Sequence, residues 1–246
     1  MKKNFLCIDF GNTRIKAGIF ENDELKNIFS SKNISPEQLK KIISANKIES
    51  GIISSVTSRS SKIETEISKL IHTIILSEKT PVPIINKYSD KKKLGKDRLA
   101  SAVAAVSIFP KQNVLSINCG TCIIYDFVND RGEYLGGSIS PGMQMRLNAL
   151  HDFTDKLPKV KADFPLQKIG NNTEQSILSG VMMGIIYELS GMIDDYKREH
   201  KNLKVILSGG DADQFASHLK TKIFASPHLV IRGLYQILKF NVETVL

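Results

Sequence analysis

Two segments of the chain set a polar side chain beside a glycine turn carrying Asn or Thr, between apolar runs. Residues 6–24 read LCIDFGNTRIKAGIFENDE, and residues 115–133 read LSINCGTCIIYDFVNDRGE. In the first, Asp9 precedes Phe10-Gly11-Asn12-Thr13; in the second, Asn118 precedes Cys119-Gly120-Thr121. Glycine lets the backbone take positive φ and approach a ligand closely. Turn amides, together with Asn or Thr side chains, can then converge into a nest for phosphate oxygens. An Asp beside such a nest can hold a divalent cation, usually through water, as Mg²⁺ prefers. A single copy is equally well explained as a tight hairpin with a structural glycine. Two matched copies plus a Gly209-Gly210 turn favour a phosphate grip.

The elements that must position these turns are legible from periodicity. FLCIDF is a short apolar strand, and Ile15, Ala17 and Ile19 alternate with Lys16 and Gly18 as in a half-buried strand. The first turn therefore joins two strands, whereas P-loop and Rossmann turns open a helix. A third strand is expected at 25–30. Ser35-Pro36-Glu37-Gln38 has the form of a capping box with Pro in the first turn, and Leu39, Ile42 and Ile43 give that helix its stripe. A strand at 51–56, a helix at 62–71, and short strands near 74–76 and 84–86 follow. An alanine-rich helix from about Asp97 ends before Pro110. The second half repeats the opening: strands NVLSIN, CIIYDFV and YLGGSIS are linked by turns at 119–121 and 130–132. Helices at 143–150, about 174–200 and 233–240 come next, with the buried strand KVILSGG between the last two. The pattern predicts a duplicated α/β fold, with domains at 1–112 and 113–246.

The bulk composition bounds the partners. With 246 residues, 41% of them hydrophobic and 24% charged, the chain can bury a sizeable core. No unbroken apolar window reaches the roughly 18–20 residues of a membrane span. The opening MKKNFLCIDFGN meets Asp9 too soon for a signal peptide, so a cytoplasmic protein is expected. The net charge of +9 fits either a nucleic-acid binder or a handler of small anions. The basic residues are scattered apart from Lys91–Lys93, and no aromatic-rich ribbon accompanies them, which argues against nucleic acid. That lysine run either raises the potential for anionic substrates or is a solvated loop. Three cysteines give no disulfide framework. The Cys119-x-x-Cys122 pair runs into a strand rather than a helix and has no second pair for zinc. It is read as small hydrophobes rather than a redox or metal site.

In order and spacing, IDFGNTRIKAGIF, LGKDRLASAVAA, GTCIIYDF, GEYLGGSISPGMQMR, NTEQSILSG and VILSGGD resemble the motifs of type III pantothenate kinase. The resemblance spans essentially the whole chain. It implies two ribonuclease-H-like domains of the actin-like ATPase fold, with the active site in the interdomain cleft. The implied function is ATP-dependent phosphorylation of pantothenate to 4'-phosphopantothenate, the first step of coenzyme A biosynthesis, by a homodimer. ATP, Mg²⁺ and a monovalent cation, K⁺ or NH₄⁺, are the implied cofactors.

The resemblance also implies roles. Residues Asp9, Phe10, Gly11, Asn12, Thr13, Arg14, Ile15 and Lys16 correspond to the first phosphate motif. Asp9 would engage Mg²⁺ through the phosphates, Asn12 and Thr13 would line the nest, and Lys16 either neutralises phosphate or is a solvated strand lysine. Thr121 corresponds to the ATP-contacting threonine of the second motif, and Gly209-Gly210 to a turn near adenosine. Gly95, Lys96, Asp97 and Arg98 match the pantothenate motif, with Asp97 as the base. Arg98 offers a planar fork for the pantothenate carboxylate. On residue types alone, Asp97 could equally be a helix N-cap and Arg98 a surface charge. Tyr88, seven residues before Gly95, and Thr173 fall at substrate positions, although Thr173 alone would also pass for an N-cap. Where the family's second phosphate motif usually begins with Asp at the monovalent-cation site, this chain has Asn118. That keeps a carbonyl ligand but loses the charge, and it weakens the expected K⁺ dependence. Two rival readings are another small-molecule kinase of the superfamily and a kinase-like transcriptional regulator.

Overall fold

A computed structural model describes residues 4–55, 61–163 and 167–243. Packing divides the chain into two units. One holds the residues up to Lys111, Arg131–Leu135 and those from His228 onward; the other holds Gln112–Asp130 and Gly136–Pro227.

The first unit opens with strands β1 (Asn4–Phe10), β2 (Ile15–Glu21) and β3 (Glu24–Ser31). Helix α1 (Pro36–Ala45), strand β4 (Ile48–Ser55), helix α2 (Ser61–Ser68) and strand β5 (His72–Ile75) follow. Val56, the last residue of the strand expected at 51–56, lies outside the described residues. The sheet order is β3-β2-β1-β4-β5. β1 and β2 pair antiparallel, as do β2 and β3, while β4 lies parallel to both β1 and β5. The β2–β3 turn places Asn22 and Asp23 at φ 50° and 66°, a left-handed conformation that short polar side chains tolerate. The expected capping box of α1 is present in full: Ser35 Oγ accepts from the Gln38 amide, and the Ser35 amide donates to Gln38 Oε1 at 2.8 Å. α2 stops earlier than the apolar pattern suggested, because Leu70 and Ile71 donate back to the Ile67 carbonyl in a closing turn. Two-residue β6 (Ile85–Asn86) pairs with Glu133 and Tyr134, and helix α3 (Lys96–Ile108) completes this run.

The second unit repeats the plan. Strands β7 (Val114–Cys119), β8 (Cys122–Val128) and β9 (Glu133–Pro141, of which Glu133–Leu135 belong to the first unit) precede helices α4 (Met143–Asp152) and α5 (Thr173–Glu199). Strand β10 (Lys204–Ser208), the short helix α6 (Ala212–Ala216) and strand β11 (Phe224–Ala225) end it. Its strands run β11-β10-β7-β8-β9, which is again fifth-fourth-first-second-third, with the fourth parallel to the first. The repeated phrase in the sequence is thus a repeated topology. α5 is long and apolar enough to cross a bilayer by length and composition. In this unit, however, its Ile177, Val181, Met182, Ile185, Leu189 and Ile193 pack on Leu115, Ile117 and Phe127 of the sheet.

Helix α7 (Leu229–Glu243) comes last in the chain but belongs to the first unit. Side chains alternate along β1. Leu6, Ile8 and Phe10 pack with Leu39 and Ile43 of α1 and with Ile63 and Ile67 of α2. Phe5 and Cys7 pack with Ala100 and Val103 of α3 and with Ile231, Leu234 and Leu238 of α7. Each of those large buried α7 side chains contributes about 1.5–3 kcal/mol. The same period of two directs Asp9 to the α3 side of the sheet.

Candidate functional site

In the first unit the polar residues gather where β1 ends and α3 begins. Asp9 is 8% exposed, and its Oδ1 is buried without a hydrogen-bond partner. Its register neighbours are Lys16 on β2 and Ser54 on β4. Burial pushes its carboxyl up to about 7, and the charge of Asp97 pushes the same way; Lys16 and Ser54 oppose them. The influence of Ser54 is slight, since its Oγ is itself buried and makes no well-formed hydrogen bond. Beyond Asp9 the chain turns tightly, with the Gly11 amide donating to the Arg14 carbonyl at 3.2 Å. Asn12, Thr13 and Arg14 are exposed on that turn. Phe10 and Ile15 instead point into or pack against the α1–α2 core, so any part they take in binding falls to their main chain.

Asp97 occupies the second position of α3, whose N-cap is Gly95 with no side-chain cap bond. The N-cap alternative for Asp97 therefore falls. Its Oδ1 accepts the Arg98 amide at 2.9 Å, which satisfies one of the orphan donors of the helix start. Burial raises the Asp97 carboxyl above its usual range, with the Arg98 and Asp97 amides and the Arg98 charge pulling down. Gly95 makes this geometry possible, because a Cβ there would lie 2.6 Å from Asp97 Oδ1. Arg98 is 6% exposed, not a surface charge. Its guanidinium carbon sits 5.6 Å from the centre of the Tyr88 ring, which in turn stacks on Tyr134 at 6.2 Å. Lys96 is half-buried beside them in the chain.

Two residues that sequence reasoning missed border this cluster. Ser54 could have been found from the β1–β4 register, had the pairing been known. His228, just before α7, is held below its usual pKa by burial and by the charges of Lys16 and Arg232. No local pattern signals it.

In the second unit, two distant chain segments meet the turn at 119–121. The Cys119 carbonyl accepts the Asp211 amide at 3.1 Å, and the Thr121 carbonyl accepts the Gly142 amide at 3.0 Å. Both approaches require glycine. A Cβ on Gly209 (φ 103°) would fall 2.0 Å from the Cys119 carbonyl oxygen and 2.6 Å from Asn118 Oδ1, and one on Gly142 would fall 2.1 Å from the Gly120 oxygen. Asn118 is half-buried and Thr121 is exposed. α4 starts at this corner with Gly142 as its N-cap, so its first-turn amides begin beside the turn. Cys119 and Cys122 are free thiols, and burial pushes that of Cys119 up to about 12. Thr173 is the first residue of α5 and is exposed. The N-cap is Asn172, whose side chain accepts the Gln175 amide at 2.9 Å. Among the described residues, no group of three or more His, Cys, Asp or Glu side chains could hold a metal ion.

Comparison with solved structures supports the architecture. A protein assigned to the Baf family of transcriptional activators from Campylobacter jejuni aligns with a TM-score of 0.62 at 20% identity, over 97% of this chain and 99% of its own. A ROK hexokinase from Thermus thermophilus aligns with a TM-score of 0.52 at 13% identity, over 98% and 100%. At these identities the likeness shows the fold, the duplicated ribonuclease-H-like architecture of the actin-like ATPases. Sequence comparison goes further. The model of the type III pantothenate kinase family matches residues 5–195. A type III pantothenate kinase from Phocaeicola vulgatus is 44% identical over 237 residues, 96% of this chain and 98% of that relative. One from Christiangramia forsetii is 42% identical over 240 residues, again 96% and 98%. On these matches, the chain belongs to the type III pantothenate kinase family.

Proposed function

We propose that this chain transfers the γ-phosphoryl group of ATP to the primary hydroxyl of pantothenate, giving 4'-phosphopantothenate and ADP. This is the entry reaction of coenzyme A biosynthesis. The observation that carries the reading is the cluster of Asp9, Asp97, Arg98 and Tyr88 where β1 ends and α3 begins, in a chain of this family. A hydroxyl is a poor nucleophile, so phosphoryl transfer asks the protein to align it and accept its proton late. Asp97 takes that role. One of its oxygens is anchored by the Arg98 amide, leaving the other to receive the proton as the new O–P bond forms and the bond to ADP breaks. Arg98, braced on Tyr88, binds the pantothenate carboxylate. Thr173, Gly95 and Lys96 complete the substrate contacts.

The turn at 11–14 and Thr121 hold the phosphates, with Lys16 neutralising charge. The buried, unpartnered Oδ1 of Asp9 fits a residue that works through a cation. Asp9 would be the residue that holds Mg²⁺ bound with ATP, which would supply neutralisation of the developing phosphate charge. Asn118 Oδ1 lies against Gly209 and would be the one oxygen this side chain could give a monovalent cation.

The protein acts as a homodimer in the cytoplasm. Gly180, Gly184 and Gly191 on α5 have open space where a Cβ would stand, and Tyr187 between them is 57% exposed. Residues at this spacing share one helix face.

The test is a coupled assay of purified protein with ATP, Mg²⁺ and pantothenate, with and without K⁺. Pantothenate-dependent ADP release supports the reading. Absence of turnover, with salt-sensitive retention on DNA, overturns it in favour of a regulator.

A further inference from the structure

The corner between β9 and α4 is held by a polar knot that no phosphate-handling role has absorbed. Glu188, at the middle of α5, accepts from Tyr125 Oη at 2.9 Å, from Ser140 Oγ at 3.2 Å and from Arg146 Nη2. Arg146 also donates through Nε to the Pro141 carbonyl and through Nη2 to Ser140 Oγ, both at 2.8 Å. Arg146 and Glu188 are about a quarter exposed, at 22% and 26% of their side chains. Burial works to raise the Glu188 carboxyl, but the bonds from Arg146, Tyr125 and Ser140 outweigh it and hold the group below its usual range. Charge-assisted, multiply bonded pairs of this kind fix geometry as well as adding energy.

What the knot fixes is the segment Ser140-Pro141-Gly142. Gly142 is the residue whose amide grips the Thr121 carbonyl and whose Cα sits too close to Gly120 for any side chain. A shift of the corner therefore moves the turn that presents Thr121.

We propose that Arg146 and Glu188 are positioning residues for nucleotide binding, which act by clamping the Ser140–Gly142 corner against the Gly120–Thr121 turn. The inference rests on the kinase reading above, since it takes Thr121 to meet ATP. Neither residue touches substrate; each acts through the turn. A displacement of a binding group by about 1 Å is worth up to about two orders of magnitude in rate, so the effect is expected on the nucleotide side alone.

The test compares Arg146→Ala, Arg146→Lys and Glu188→Gln with the natural protein. Arg146→Ala is expected to raise KM for ATP roughly tenfold while KM for pantothenate stays within about twofold, and Arg146→Lys should recover part of the loss. In the protein without ligands, amide exchange at Gly142 should quicken in Arg146→Ala and Glu188→Gln, while exchange in β1 and β4 stays unchanged. A purely structural role would instead lower the active fraction and the melting temperature and leave both KM values in place, and that result overturns the inference. Unchanged Gly142 exchange overturns it equally. Should the natural protein show no pantothenate-dependent turnover, the kinase reading fails, and the clamp is judged by Gly142 exchange alone.

Discussion

The charge of Asp97 reaches Asp9 and, together with burial, pushes its carboxyl up to about 7. At Asp97 itself burial is the leading cause of the upward shift, partly offset by amides and by Arg98. Two acids thus stand where β1 ends and α3 begins, both reluctant to ionise, and Asp9 is the more buried of them.

This pair makes stability depend on pH in a defined direction. The folded pKa of Asp9 lies above the ordinary value of 3.8. Its contribution to stability is therefore complete below about pH 4 and is lost as pH rises through 7. The full effect amounts to at most roughly 4 kcal/mol, and Asp97 acts with the same sign. The melting temperature of the ligand-free protein should fall between pH 5 and pH 8, and Asp9→Asn should flatten that fall. A cation bound at Asp9 favours the ionised form, so added Mg²⁺ and ATP should flatten it as well. A natural protein whose stability rises steadily across this range contradicts the assignment.

Gly95 and Asp97 separate positioning from chemistry. A methyl group at 95 would stand 2.6 Å from Asp97 Oδ1, close enough to turn the carboxylate away while leaving the helix start intact. Gly95→Ala should cut turnover by about tenfold or more with little change in melting temperature. Asp97→Asn keeps an oxygen for the Arg98 amide but cannot take the proton. It should cut turnover by about 100-fold or more while nucleotide binding, followed by calorimetry, stays nearly unchanged. Near-normal turnover in Asp97→Asn removes it from the base role.

Local chemistry was readable wherever it was written in adjacent residues. Ser35 and Gln38 announced their helix start through the capping box, and the two Asx–Gly turns announced a repeated fold through spacing alone. Asp9 could be placed on a strand end from alternation. What was not readable depends on distant chain segments. Nothing near Gly233 says that α7 returns to α3, yet a Cβ there would lie 1.8 Å from the Ala100 carbonyl oxygen. Likewise the clamp of Arg146 on Glu188 joins residues 42 apart; Arg146 closes the segment GEYLGGSISPGMQMR, but nothing around Glu188 points back to it. Asp97 and Thr173 were each open to an N-cap reading because residue type cannot distinguish the cap from the positions just after it. In both helices the true cap is an earlier neighbour, Gly95 or Asn172.

The open face of α5 predicts the assembly state. Gly184 has room for a side chain, so Gly184→Glu should leave the fold intact and place a charge on the proposed seam. Light scattering is expected to give twice the chain mass for the natural protein and the single-chain mass for the variant. A natural protein that runs as a monomer at micromolar concentration, or a variant that stays dimeric, removes α5 as the interface.

Asn118 stands where the resemblance to the family implies an Asp. Its Oδ1 lies against Gly209, beside a turn whose carbonyls are already engaged by Asp211 and Gly142. A carboxylate about 3 Å from K⁺ would gain roughly 5 kcal/mol gross at an effective dielectric near 20, before desolvation costs. An amide oxygen supplies only its dipole, so occupancy by K⁺ at cellular concentration should be lower here. Turnover of the natural protein is expected to depend weakly on K⁺, and Asn118→Asp should steepen that dependence and shift half-saturation to lower K⁺. The same substitution adds a negative charge to the turn proposed to meet the phosphates, so in the absence of K⁺ it should raise KM for ATP rather than lower it. Equal, strong K⁺ dependence in both proteins would show that the side chain at 118 does not govern the cation.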